Sequence, residues 1–431
     1  MKGNLSSYIK FFGPAWLVMM ADMDASSTIG AAETGAIFKY GLIWLLILLI
    51  IPLYLIQETS GRIGVATERG LGEVIRKNYS HKVAIITTLP MVVTDVVTYI
   101  IEYLGIAIGL SFFGVPIIFS LPIFYIIHLA IVIRRKYGVT ESILVLVSAS
   151  LIVGFLATLI VRGVRPYNPL YFVPSPGFLF ILAVNVGAVI MPFMLFFQAS
   201  ATAEKVSHIR KQNSDNEISG DLEGRKLAQF KKIALKSMRM ETLFGAVVSE
   251  LLMVVVEMAM SGINPDLNFA SIPELAKGLS AIAGIYSPYL FGIGLIGAAF
   301  LALVVISLGS AWGFMEALGI KREKAPPLYV LESLPAVIIA LIIPAVSLIN
   351  TVLDLLVVFV FVLIGPGVLM GVIARNKSIM RNYSTSKRGE ITYWSSMIFV
   401  IIFGILALAG FVIRQPRVKL QTLCINGAGR V

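Results

Sequence analysis

Residues 15–36 read AWLVMMADMDASSTIGAAETGA. Asp22, Asp24 and Glu33 stand in a stretch otherwise apolar enough to enter a bilayer. An acid at membrane depth costs ~2.5–3.5 kcal/mol on insertion scales, so such a side chain faces protein or water and tends to mark function. On one continuous helix, residues 22 and 24 would point about 200° apart. One of them would then face lipid or a neighbouring helix, and an interrupted helix removes that conflict. The segment Asp24-Ala25-Ser26-Ser27 carries side chains that compete with the backbone for hydrogen bonds. The reading therefore places a break at about 24–27. Carbonyls exposed there beside a carboxylate make a cation site; a bent helix with Asp24 paired to another span is the alternative.

A second stretch behaves the same way. Residues 181–204 read ILAVNVGAVIMPFMLFFQASATAE. Pro192 removes a backbone donor in mid-span, with Gly187 just upstream. A second break is expected at about 188–192, against the alternative of a packed, kinked helix. Met191 sits beside it and offers a soft thioether. The two breaks head two sets of five spans. That spacing points to an inverted-repeat transporter with its site near the midplane.

The rest of the chain agrees. Of 431 residues, 58% are hydrophobic and 14% charged, against about 25% charged in an ordinary soluble domain. Mean hydropathy is +0.89. These values exclude a disordered, fibrous or nucleic-acid-binding soluble protein and leave an all-α integral membrane protein. The N-terminal apolar run holds Pro14, Asp22 and Asp24 and lacks a small-residue cleavage site, so it is expected to be a membrane helix and not a signal peptide. The single cysteine, Cys424, excludes an intrachain disulfide.

Eleven spans are expected, at 12–36, 40–63, 82–112, 115–133, 141–162, 178–203, 240–260, 284–312, 327–349, 353–374 and 392–414. They form one transmembrane transporter domain over 1–431, with five-helix repeats at 12–162 and 178–374 and an additional eleventh helix. With the N-terminus in the cytoplasm, 27 of the 35 Lys and Arg residues fall on inside segments and 8 outside. This is the inside-positive pattern, and it places the C-terminus outside. The polar loop 205–239 reads as a solvated linker.

Other acids lie inside spans. Asp95, Tyr99 and Glu102 are spaced four and three apart, so they share one helix face and outline a proton or ion path; a structural pairing is the alternative. Glu250 and Glu257 form a similar one-face pair in the seventh span. Glu58, Glu316 and Glu332 lie near expected cytoplasmic ends, where snorkelling or loop pairing suffices. His128 reads as a buried, hydrogen-bonded side chain without a role. No HExxH, Walker loop, zinc-type cysteine pattern or nucleophile elbow occurs, so nothing argues for an enzyme.

These residues resemble the Nramp (natural resistance-associated macrophage protein) family of divalent-metal transporters. The resemblance runs from Gly13 to about the tenth span. It rests on GPAWLVMMADMDASSTIGAAETGAIFKYGLIW at 13–44 and QETSGRIGVATERGLGEVIRKNY at 57–79. PFMLFFQAS at 192–200, IPELAKGLSAIAG at 272–284 and KREKAPPLYV at 321–330 are similar to a divergent prokaryotic branch that includes proteins related to magnesium transport. The resemblance implies a LeuT-like inverted repeat with spans 1 and 6 discontinuous. It also implies a metal site, with Asp24 at the DPGN aspartate, Ser27 at its asparagine and carbonyl donors at Ala21 and Ala188. Met191 falls at the metal-binding methionine. Departures are equally specific. Ala25-Ser26 replaces Pro-Gly, Phe193 replaces a histidine and Met194 an asparagine. Tyr99 replaces the proton-path aspartate, while Glu102 is kept and Asp95 lies one turn away.

The function so implied is alternating-access transport of a divalent cation in a prokaryotic plasma membrane. Met191 favours Mn²⁺ or Fe²⁺; the lost carboxamide and histidine point toward Mg²⁺. Proton symport through Glu102 and Asp95 competes with uncoupled flow. An organic cation or amino acid is the other substrate class. The metal is substrate, with no cofactor, and the expected partners are the bilayer and, under symport, protons, but no nucleic acid.

Overall fold

The first span is two helices. α1 (Pro14–Ala21) and α2 (Ala25–Phe38) are separated by Asp22, Met23 and Asp24 in the computed structural model, which describes residues 10–134, 139–172, 175–214, 223–263, 272–342 and 349–406. The entry to α1 follows from its residues. Gly13 takes φ +141°, a backbone that side-chain-bearing residues avoid. Pro14 follows at the first helical position, where its missing N–H costs nothing. The free amides of Gly13 and Trp16 both donate to Glu241 Oε1 at 2.7 Å.

The chain continues as α3 (Ile43–Thr67), α4 (Leu71–Asn78), α5 (His81–Ser111), α6 (Ile117–Ile133) and α7 (Val139–Arg162). It then forms α8 (Pro176–Val189), α9 (Pro192–Ser214), α10 (Glu223–Met260), α11 (Ile272–Ala283) and α12 (Ser287–Leu318). Last come α13 (Pro326–Ile342), α14 (Ile349–Arg375), the single turn α15 (Lys377–Met380) and α16 (Lys387–Leu406). No strand occurs among the described residues. Eight of these stretches, with α8 and α9 taken together, are long and apolar enough to cross a membrane; α6 and α13 are shorter apolar helices. With the broken first span they supply the eleven spans expected. The end of the eleventh, and Cys424, lie outside the described residues.

Packing faces inward and apolar surface faces outward, the inverse of a soluble bundle. α7 shows it in one repeat. Leu144, Leu151, Phe155 and Thr158 are buried, while Leu146, Val153 and Ile160, seven apart, are 73%, 64% and 78% exposed. A helix face this apolar and this open belongs against lipid. Interior contacts are close because small residues line them. Gly187 is the extreme case, since a Cβ there would lie 1.8 Å from the carbonyl oxygen of Leu356 in α14.

Charges gather at one end of the bundle. Lys205 pairs with Glu141 at 2.6 Å, Arg210 and Lys231 with Glu68 at 3.0 and 2.9 Å, and Arg239 with Glu58 at 2.7 Å. This corrects the reading of 205–239 as a linker. α9 runs on to Ser214 and α10 starts at Glu223, so most of the segment is helical. Its Lys, Glu, Gln and Ala residues are good helix formers, and its charges find partners on α7, on α3 and at the end of α3. The short amphipathic helices α4 and α11 carry charged residues, so charge-free runs do not mark them in the sequence.

The close approach at Gly187 gives a stability test. Gly187→Ala is expected to destabilise the purified protein by about 1–3 kcal/mol, the usual cost of overpacking, seen as a lower melting temperature in detergent. Gly177→Ala, where nothing lies within 4 Å of an added Cβ, should leave it unchanged.

Candidate functional site

Asp24 begins the second half of the first span. It is the residue before α2, with extended φ −70° and ψ 179°. Its Oδ1 accepts from the Ser27 amide at 2.6 Å and the Ser26 hydroxyl at 2.7 Å, the usual arrangement of an aspartate capping a helix. Its Oδ2 is buried and has no hydrogen-bond partner. The break therefore falls at 22–24, slightly earlier than the expected 24–27, and Ser27 lies inside α2. The capping strength of Asp24 sets this: it starts a helix where the sequence reading had the helix still unwound.

The break frees specific backbone groups. In an unbroken helix the Ala25 amide would donate to the Ala21 carbonyl, four residues back. It donates instead to Glu102 Oε2 at 3.0 Å. Ala21 is the last residue of α1, so its carbonyl faces the gap without that partner. Glu102 Oε1 remains buried and unpartnered.

The sixth span repeats the logic through proline. α8 ends at Val189, Ile190 leaves helical geometry (φ −132°, ψ 89°), and Pro192 opens α9. The residue that would donate to the Ala188 carbonyl is Pro192, which has no N–H. That carbonyl accepts instead from the Ser27 hydroxyl at 3.1 Å. The two interruptions, 161 residues apart, thus touch. A further tie runs from Asn185 Nδ2 to Thr34 Oγ1 at 2.8 Å. Met191, Phe193 and Met194 are fully buried. Gly187 sits three residues before the break, inside α8, where it serves the contact with α14 and not the unwinding.

Two helix C-termini (α1, α8) and two N-termini (α2, α9) meet here. The carbonyl ends carry partial negative charge and the amide ends partial positive. Asp24 and Glu102 occupy the amide end of α2 and accept from its first free amides. The Asp24 carboxylate and the Ala21 and Ala188 carbonyls offer oxygen donors there, and Met191 is buried next to the second break. Among the described residues no group of three or more His, Cys, Asp or Glu side chains is placed to hold a metal.

The third-span stripe divides. Glu102 belongs to the break. Tyr99, nearer the charged end, donates to Ser307 Oγ at 2.8 Å and lies 3.4 Å from Glu332 Oε2. Ser307 Oγ donates to the Leu303 carbonyl at 2.8 Å, so it accepts from Tyr99 and from His128 Nε2, also at 2.8 Å. That assigns the His128 proton to Nε2, and Nδ1 accepts from Tyr103 at 2.9 Å. Asp95 is buried with both oxygens unpartnered. Glu332 is a correction. Expected to snorkel, it is buried within this network. The signal available was its isolation as the one acid in the otherwise uncharged stretch 325–342. Glu250 and Glu257 also part company, since Glu257 Oε1 accepts from the Leu42 amide at 3.1 Å while Glu250 has no partner.

Comparison with known proteins places the architecture. The family profile "Natural resistance-associated macrophage protein-like" (Nramp) matches residues 15–410. The divalent metal cation transporter MntH of Verminephrobacter eiseniae is 28% identical over 208 residues, 46% of this chain and 47% of that protein. MntH of Caldanaerobacter subterraneus subsp. tengcongensis is 24% identical over 308 residues, 69% of each chain. The chain thus spans about half the length of the first of these relatives and about two thirds of the second. A crystal structure of the Eremococcus coleocola manganese transporter, bound to an aromatic bis-isothiourea substituted compound, superposes with a TM-score of 0.75. It covers 99% of this chain and 93% of that one at 15% identity, which establishes a shared fold. Matched from its first half-helix into its last span, the chain belongs to the Nramp family.

Proposed function

We propose that this chain transports divalent metal cations across the plasma membrane by alternating access, with Mn²⁺ and Fe²⁺ ahead of Mg²⁺. The observation that carries the reading is the contact between the two helix breaks, where Ser27 reaches Ala188 beside the spare oxygen of Asp24. The relatives named as divalent metal cation transporters and the neighbour named as a manganese transporter support it. Asp24 supplies the charge that offsets dehydration of the ion. The Ala21 and Ala188 carbonyls replace waters, Met191 contributes sulfur, and Ser27 binds through its hydroxyl or a water. To admit the ion, the Ser27–Ala188 hydrogen bond opens, and the ion takes the place of that proton.

Transport then needs spans 1 and 6, with part of the bundle, to rock against the rest, with 12–162 and 178–374 as the two repeats. The basic end is the cytoplasmic end in this reading, with the N-terminus inside and the C-terminus outside. An inside-negative potential favours entry by about 2.3 kcal/mol per charge per 100 mV. Symport would move protons by way of Glu102 and then Tyr99 and Asp95. The second reading, Mg²⁺ without proton coupling, draws support from Phe193 and Met194, which place apolar side chains where the family resemblance implies histidine and asparagine. An organic-cation reading would need aromatic faces at the break. Tyr99 is tied to Ser307 instead, which leaves Phe193 alone and disfavours it.

Reconstituted in proteoliposomes, the protein is expected to take up Mn²⁺, and Asp24→Ala should reduce uptake to background. Met191→Ala should depress Mn²⁺ flux more than Mg²⁺ flux. A Mg²⁺ flux that excess Mn²⁺ leaves untouched would reverse the metal assignment. A second measurement addresses coupling: with equal metal on both sides, an inward proton gradient should drive Mn²⁺ accumulation, and Glu102→Gln should abolish it. No accumulation under that gradient, with metal still flowing down its own concentration gradient, would identify an uncoupled carrier.

A further inference from the structure

α10 runs alongside the first span, and the contacts set a register. Glu241 receives the amides of Gly13 and Trp16. One turn on, Gly245 approaches so closely that a Cβ there would lie 2.6 Å from Met19 Cβ. Continuing in the same direction brings residues 249–250 level with the end of α1 at Asp22. Farther on, a Cβ at Gly35 would meet the Glu257 carbonyl oxygen at 2.2 Å. The two elements are therefore parallel and in contact on both sides of the break, and Glu250 stands opposite Asp22.

Asp22 and Glu250 are fully buried. None of their four carboxylate oxygens has a hydrogen-bond partner within 3.5 Å, and the nearby Ser249 hydroxyl is a donor within reach of Asp22. The carboxyl groups lie within electrostatic reach of each other, and Asp22 also within reach of Asp24. Two carboxyl groups at membrane depth with no basic partner are neutralised either by protons or by a bound cation. Their oxygens are hard donors that suit a divalent cation. They adjoin the Asp24 gap but approach it from α10, an element that lends no other residue to it.

We propose that Asp22 and Glu250 form a second divalent-cation station, which an ion occupies in passing between the Asp24 gap and the membrane surface. The proposal rests on the transport reading above, and it extends the ion's path along α10. Bound Mn²⁺ there exchanges water for carboxylate oxygens, and its two charges neutralise the pair.

The test is Mn²⁺ binding to the purified full chain, followed by electron paramagnetic resonance of free Mn²⁺. Disabling the main site with Asp24→Ala should weaken binding at least tenfold and leave a residual site. Adding Glu250→Gln, or separately Asp22→Asn, should remove that residue; both changes keep the side-chain shape. In the otherwise unaltered chain, Glu250→Gln should lower Mn²⁺ uptake by about 10–100-fold, the range seen when a supporting ligand is lost. Two outcomes overturn the station: Asp24→Ala abolishing all binding, or residual binding indifferent to both variants. In either case wild-type uptake shows that the transport reading itself survives. A wild type that neither binds nor carries Mn²⁺ overturns both.

Discussion

Inside a bilayer every backbone amide and carbonyl needs a partner, and this fold is organised around the two places where the helix does not supply one. At the first, the Ala25 amide finds Glu102 and the Asp24 carboxylate binds the Ser27 amide. At the second, Pro192 has no amide to offer, and the Ala188 carbonyl finds Ser27. Asp24 serves its own helix, while the other two repairs use a side chain from a different span or from the opposite break. An unmade hydrogen bond of this kind costs about 1–3 kcal/mol, so the repairs hold spans 1, 3 and 6 in one geometry. They also leave acceptor oxygens over, and an excess of acceptors with no donor is what a desolvating cation needs.

The surrounding bundle keeps that geometry in place. Gly187 lets α14 lie against α8 just before the second break, and Gly245 lets α10 lie against α1 just before the first. Glu241 binds the first amides of α1 from α10. The half-helices can therefore move only with the elements clamped to them, which suits a carrier whose breaks shift as part of larger bodies. The second polar network, from Tyr103 through His128 and Ser307 to Tyr99 and Glu332, lies apart from the gap and joins spans 3, 4, 8 and 9.

Much of this was legible in the residues, for physical reasons. Acids in apolar runs are expensive, so Asp24 and Glu102 stood out. A proline in mid-span removes one particular hydrogen bond, so Ala188 could be named. The spans and their eleven-fold count followed from hydropathy and the segregation of Lys and Arg. What stayed hidden depends on which helix neighbours which. The isolation of Glu332 in an uncharged stretch marks it as buried, but nothing local tells that its partner is Tyr99, that Glu102 leaves its own stripe to meet Ala25, or that Glu250 faces Asp22. The segment 205–239 was misjudged because composition alone does not separate a charged helix end from a solvated linker; the ion pairs from Lys205, Arg210, Lys231 and Arg239 decide it. The exact break at 22–24 likewise depends on Asp24 capping α2, a choice the residues 24–27 leave open.

The central claim is that one divalent cation is held jointly by the two breaks. Anomalous diffraction from crystals grown with Mn²⁺ tests it most directly. The account predicts a peak within coordinating distance of Asp24 Oδ2 and the Met191 sulfur, with Ser27 turned away from the Ala188 carbonyl. A fully occupied peak elsewhere, with the Ser27–Ala188 hydrogen bond intact and the gap closed, would contradict it.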